Sequence, residues 1–188
     1  MTEQNALIRK ALGNIAWGNL LILLDVNLGR LDVLPNWVGY LLIFYAIGYL
    51  ADEVRDLPLL KPFCVLLGAT ELLDWLAVFL AGEPLTGQFF LVNALIVCVS
   101  LYFHFQLLTD LALLAEECDA RANSLRSCRN VEAVIQVILL LPLPWEEHAT
   151  LSIIYGGLLV AGLIVCAFII YQLFVLRNHF PAEETSEP

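Results

Sequence analysis

The chain has 188 residues, 60% of them apolar and only 15% charged, with a formal net charge of −10. A soluble domain of this size carries about 45–50% apolar and about 25% charged residues, and one small core cannot hide the excess. The balance excludes a soluble globular enzyme, a disordered chain, collagen and a disulfide-rich secreted module, and it leaves a small integral membrane protein.

A membrane-spanning helix needs about 20 largely apolar residues. Six segments are candidates in chain order, and the mean hydropathy of +0.80 suits that many. The first is Ala6–Leu24. Arg9 and Lys10 stand near its start, but no A-x-A cleavage site follows before Asp25, so it reads as a retained helix. Asn14, Gly18 and Asp25 share one face. Asn19 lies elsewhere and suits an interhelix hydrogen bond, while Trp17 reads as packing.

The loop from Asp25 to Pro35 follows. Asp25, Asn27 and Asp32 offer oxygen ligands around Gly29, but a calcium loop needs a ligand where Gly29 stands, so no metal is assigned. Two readings stay open. In one, Gly29 supplies a positive-φ turn and Asp32 or Asn36 caps the next helix. In the other, Asp25, Asn27, Gly29, Asp32 and Pro35 form an outer element of a transport site, because short spans broken by Gly and Pro often mark such sites. The second segment, Asn36–Ala51, is short, and Pro35 suits its first turn.

The third segment, Leu59–Ala81, carries Glu71 and Asp74 near its middle. Their i, i+3 spacing puts both carboxyls on one helix face, which must point into the bundle. Such a pair can relay protons or hold a cation, or it can simply hydrogen-bond across helices. An intramembrane hydrolase with these two as a dyad is a further possibility, although such dyads normally come from separate helices.

The fourth segment, Gln88–Leu111, bears Asn93, Ser100 and His104 within about 40° of one another. A buried imidazole there can titrate or ligate, or be satisfied by one partner. Asp110 lies off that stripe and reads as a solvated residue near the helix end. A polar extension continues to Glu117. The fifth segment, Val131–Leu143, is short and borrows a turn from Leu125–Asn130, with Arg126 and Arg129 snorkelling to the headgroups. The sixth, Ala149–Leu176, contains two small-xxx-small pairs, Gly157 with Ala161 and Gly162 with Cys166, which suit close helix packing. Residues 181–188 read as an acidic solvated tail after a single domain covering 1–180.

Lys and Arg placement orients the bundle. With both termini cytosolic, the inner side holds Arg9, Lys10, Arg55, Lys61, Arg121, Arg126, Arg129 and Arg177 and the outer side only Arg30, eight against one. Trp37 and Trp145 then fall at the outer interface, where indole rings anchor. Of the five cysteines, Cys64, Cys98 and Cys166 read as small hydrophobes. Cys118 and Cys128 flank a polar inner loop and can pair or sense redox state.

The stretch D-x-N-L-G-x-x-D-x-L-P-x-W-x-G-Y, from Asp25 to Tyr40, resembles one in small multi-pass bacterial membrane proteins of no assigned activity. The resemblance covers about 25 residues, implies a bacterial inner-membrane protein, and marks Asp25, Asn27, Gly29, Asp32, Pro35 and Gly39 as positions that matter. In size and topology the chain is also similar to the membrane substrate-binding subunits of vitamin-uptake transporters. Their alanine-rich first-helix signature does not occur here.

No H-E-x-x-H, G-x-S-x-G or Walker motif occurs, and three histidines, none of them paired, make no haem site. The sequence therefore predicts an all-α integral membrane bundle of six transmembrane helices, with no cofactor and no catalytic residues assigned. The leading expectation is a small transporter or channel-like protein for a cation, proton or small polar solute. Glu71, Asp74, His104, Asn93 and Ser100 would form its polar site. The alternative is a non-catalytic assembly, sensor or scaffold subunit whose polar residues only specify helix packing. Partners are the lipid bilayer, a small solute or cation, and another membrane subunit or a second copy of the chain. A net charge of −10 gives no electrostatic reason to bind nucleic acid.

Overall fold

The computed structural model describes residues 2–24, 27–28, 31–32, 35–86, 89–118, 120, 122–141, 143–145 and 148–180. Long apolar runs punctuated by Gly, Pro and polar residues give six helices: α1 Thr2–Leu23, α2 Asn36–Tyr49, α3 Lys61–Ala81, α4 Phe90–Glu117, α5 Ala122–Leu140 and α6 Ala149–Asn178. A single 3-10 turn, Leu57–Leu60, leads into α3 with Pro58 inside it and Pro62 in the first helical turn. Gly82 ends α3 in the left-handed region at φ 83° and donates its N–H to the Val78 carbonyl at 3.0 Å. Between α1 and α2 lies a two-residue antiparallel ladder, β1 Asn27–Leu28 with β2 Leu31–Asp32, in which Asn27 faces Asp32.

Consecutive helices pack on one another and α6 returns to α1, so the six close into a ring. One end of this ring gathers the start of α1, the end of α2, the start of α3, the end of α4, the start of α5 and the end of α6. Gln4 is hydrogen-bonded to Glu53 there. Lys10 lies over the Tyr49 ring, Arg9 donates to the Phe180 carbonyl at 2.7 Å, and Arg126 pairs with Glu116 at 2.5 Å. All the basic residues assigned to the inner side lie at or near this end, apart from Arg121, which is outside the described residues.

Packing is tight at the basic end and loose at the other. The buried residues of α4 begin at Phe103, at its midpoint, and those of α6 at Ile169, in its second half, whereas α3 buries only Cys64 and Leu67 in its first half. Leu12, Ile15, Ile43, Ile47, Leu57, Leu111 and Leu173 have no exposed surface. At the far end Leu80, Phe90 and Leu91 are each 80% exposed and Ile153 is 76% exposed, which suits a hydrocarbon surround and not water.

Among the described residues, three of the six helices are long and apolar enough to cross a membrane: Leu57–Ala81, Phe90–Glu117 and Ala149–Asn178. The other three fall short for separate reasons. α2 has 14 residues, about 21 Å at 1.5 Å per residue. α5 carries Arg126, Arg129 and Glu132, and α1 carries Arg9 and Lys10 among asparagines.

Candidate functional site

Asp74 ties the link between α3 and α4. Its Oδ1 accepts the Leu85 N–H at 2.9 Å and the Thr86 N–H at 3.0 Å, and the Thr86 hydroxyl donates to Oδ2. A carboxylate that accepts consecutive backbone N–H groups anchors a turn. Glu71, one turn earlier, accepts from Asn36 Nδ2 at 3.3 Å. The Tyr40 hydroxyl lies close to both the Ser100 side chain and the Glu71 carboxyl. Glu71 and Ser100 thus belong to one group, between α2, α3 and α4, and Asp74 belongs to the turn.

Asn93 is exposed in the loose half of α4, about 16 Å along the helix from His104. The outer-loop residues are separate again. Asp25 and Gly29 lie outside the described residues, and Asn27 and Asp32 oppose each other in the ladder. Pro35 holds the position before α2 in extended conformation, and no side chain caps that helix. Asn36, one of the expected caps, is engaged with Glu71 instead.

His104 lines a cavity of about 220 Å³ between α1, α4, α5 and α6. Its polar lining is Asn19, His104, Glu132, Gln136 and Cys166, and leucines and isoleucines complete the wall. Each polar residue comes from an apolar helix stretch that turns this side inward. Both His104 ring nitrogens are buried without a hydrogen-bond partner. Glu132 Oε1 accepts from Gln136 Nε2 at 3.3 Å and, more loosely, from the Cys166 thiol at 3.9 Å. Asn19 donates to the Ile15 carbonyl of its own helix at 2.8 Å, not across helices. Toward the basic end, Leu107, Leu108, Ile169 and Ile170 are buried and close the floor. Two larger recesses differ in character. One, about 360 Å³ between α2 and α3, is apolar; the other, about 370 Å³, is a surface recess beside Glu3, Asp52 and Glu53.

Glu132 and Gln136 are the residues that the sequence reading missed. Their signal is an i, i+4 polar pair inside the run Val131–Leu141. Asp110 also differs from expectation. It is 1% exposed, accepts from Gln106 at 2.8 Å, and keeps its second oxygen without a partner. The 3-10 turn packs against α4, so this helix end is covered and not solvated. Among the described residues, no three His, Cys, Asp or Glu side chains converge closely enough to hold a metal ion.

No family model matches the chain, and no curated protein and no solved structure matches it.

Proposed function

We propose that the chain is a small multi-pass protein of the bacterial cytoplasmic membrane that passes a small cation or polar solute through the cavity between α1, α4, α5 and α6. In this reading all six helices cross, both ends lie in the cytosol, and the basic end of the ring faces inward. The eight-to-one division of Lys and Arg supports that orientation. One observation carries the functional reading: five polar side chains from four helices line a single interior cavity whose floor is sealed at the basic end. Ionisable groups inside a bundle are costly, and they usually mark a solute or proton path. The site therefore centres on Glu132 and His104, with the Glu71–Ser100 group beside it.

The test is flux into liposomes reconstituted with the full chain, using protons, alkali cations and small polar solutes. Wild type carries at least one of these above protein-free liposomes, and Glu132→Gln lowers that flux at least tenfold. Flux equal to protein-free liposomes across the whole panel removes the transport reading. Full activity in Glu132→Gln, with loss in Glu71→Gln or Asp74→Asn, moves the site to α3.

The hydrogen bonds of Asp74 favour a second reading for that residue alone. It holds a turn, as the reading of a non-catalytic assembly or scaffold subunit requires of every polar group. That reading extends to the whole chain only if His104 and Glu132 also serve packing alone.

A further inference from the structure

The charge in the cavity is one-sided. The amide nitrogen of Asn19 is engaged with the Ile15 carbonyl, that of Gln136 with Glu132, and the Cys166 thiol also turns to Glu132. Each amide keeps one free N–H and a neutral imidazole one more, while the acceptors left are the Asn19 and Gln136 carbonyl oxygens, the second Glu132 oxygen and the imidazole lone pair. His104 has neither ring nitrogen satisfied, a condition that native interiors rarely tolerate without an occupant. A charged carboxylate in a bilayer core needs a cation beside it or a proton on it. Among the described residues, no Lys or Arg lines the cavity. An anion therefore meets a carboxylate and no cationic side chain, and a bare metal ion finds no ligand cluster among the described residues. The rest of the wall is Ile and Leu, which a strongly hydrated ion does not use.

Resting on the cavity assigned above, we infer that its occupant is a small organic ammonium. Its N–H groups are taken by Glu132 and the amide oxygens, and its alkyl body lies against Ile22, Leu108 and Ile170. A volume of about 220 Å³ is on the order of seven water volumes, which suits a chain such as n-hexylammonium.

The test is equilibrium binding of labelled n-hexylammonium to the purified full chain in lipid nanodiscs, with empty discs subtracted. The neutral isostere n-hexanol and potassium serve as comparisons. Saturable binding of the ammonium is expected, at least tenfold tighter than n-hexanol. Glu132→Gln weakens it at least tenfold, and so does Ile170→Trp, which fills the cavity and leaves its charge alone. The comparison with n-hexanol needs no variant, so a misfolded mutant does not block the test. Equal affinity for ammonium and alcohol, undiminished binding in Glu132→Gln, or no saturable binding overturns the inference. Ammonium binding without any liposome flux leaves it standing and removes the transport reading. Flux of other solutes without ammonium binding does the reverse.

Discussion

At the scale of single residues, two glycines set how closely α1 and α2 approach. A Cβ on Gly18 would stand 2.7 Å from the Gly39 carbonyl oxygen and 2.8 Å from Ile43. A Cβ on Gly39 would stand 2.6 Å from the Gly18 carbonyl oxygen and 2.7 Å from Ile22. Backbone oxygens cannot swing aside, so either substitution must push the helices apart, and overpacking of this kind costs about 1–3 kcal/mol. Gly157, placed by its spacing in a packing stripe, has nothing within 4 Å of a Cβ. Gly157→Ala should therefore keep or slightly raise stability, since Ala is the better helix former by about 1 kcal/mol. Gly18→Ala should lower the thermal midpoint in detergent. Equal shifts for the two variants would show that the α1–α2 contact is not the close one described.

At the scale of elements, α5 is where the sequence was least legible. Starting the span at Val131, with one turn borrowed from Leu125–Asn130, reads Arg126 and Arg129 as snorkelling residues and gives Glu132 no role. In the structure α5 starts at Ala122, and both arginines bind α4. Arg129 donates to the Thr109 hydroxyl at 2.7 Å and lies 4.3 Å from the Phe105 ring centre. Arg126 pairs with Glu116, with side chains 36% and 57% exposed. Continuous helix through Asn130 turns Glu132 and Gln136 toward the ring interior, which a hydropathy window cannot see because it averages over all faces. The long apolar spans, by contrast, were legible from run length alone, and the eight-to-one charge division marked the end that proves basic. The two arginines should differ in weight. Arg126→Ala removes an exposed pair and should cost under about 1 kcal/mol. Arg129→Ala removes a half-buried hydrogen bond and a cation–π contact and should cost about 1–2 kcal/mol. Thermal unfolding of the two variants decides it, and a larger loss in Arg126→Ala would contradict the ranking.

For the whole molecule, the ring packs tightly at its basic end and splays at the other, so the topology proposal has a direct chemical test. Cys118 follows α4 at the basic end, and Glu83 is exposed in the link between α3 and α4 at the opposite end. With both termini cytosolic, the two positions face opposite compartments. In intact cells an impermeant maleimide should label Glu83→Cys above the wild-type background, while Cys118 should react only after permeabilisation. The rate at Cys118 carries a second signature. Burial raises its thiol pKa, and the carboxylates of Glu117 and Glu53 raise it further. Maleimide reacts with the thiolate, so at neutral pH Cys118 should react more slowly than an ordinary exposed cysteine, and its rate should climb as pH rises. Labelling of Cys118 from outside in sealed cells would reverse the bundle. Labelling of both positions from one side would mean that α4 does not cross the membrane between them, and the cavity would then have to be reached from a single face.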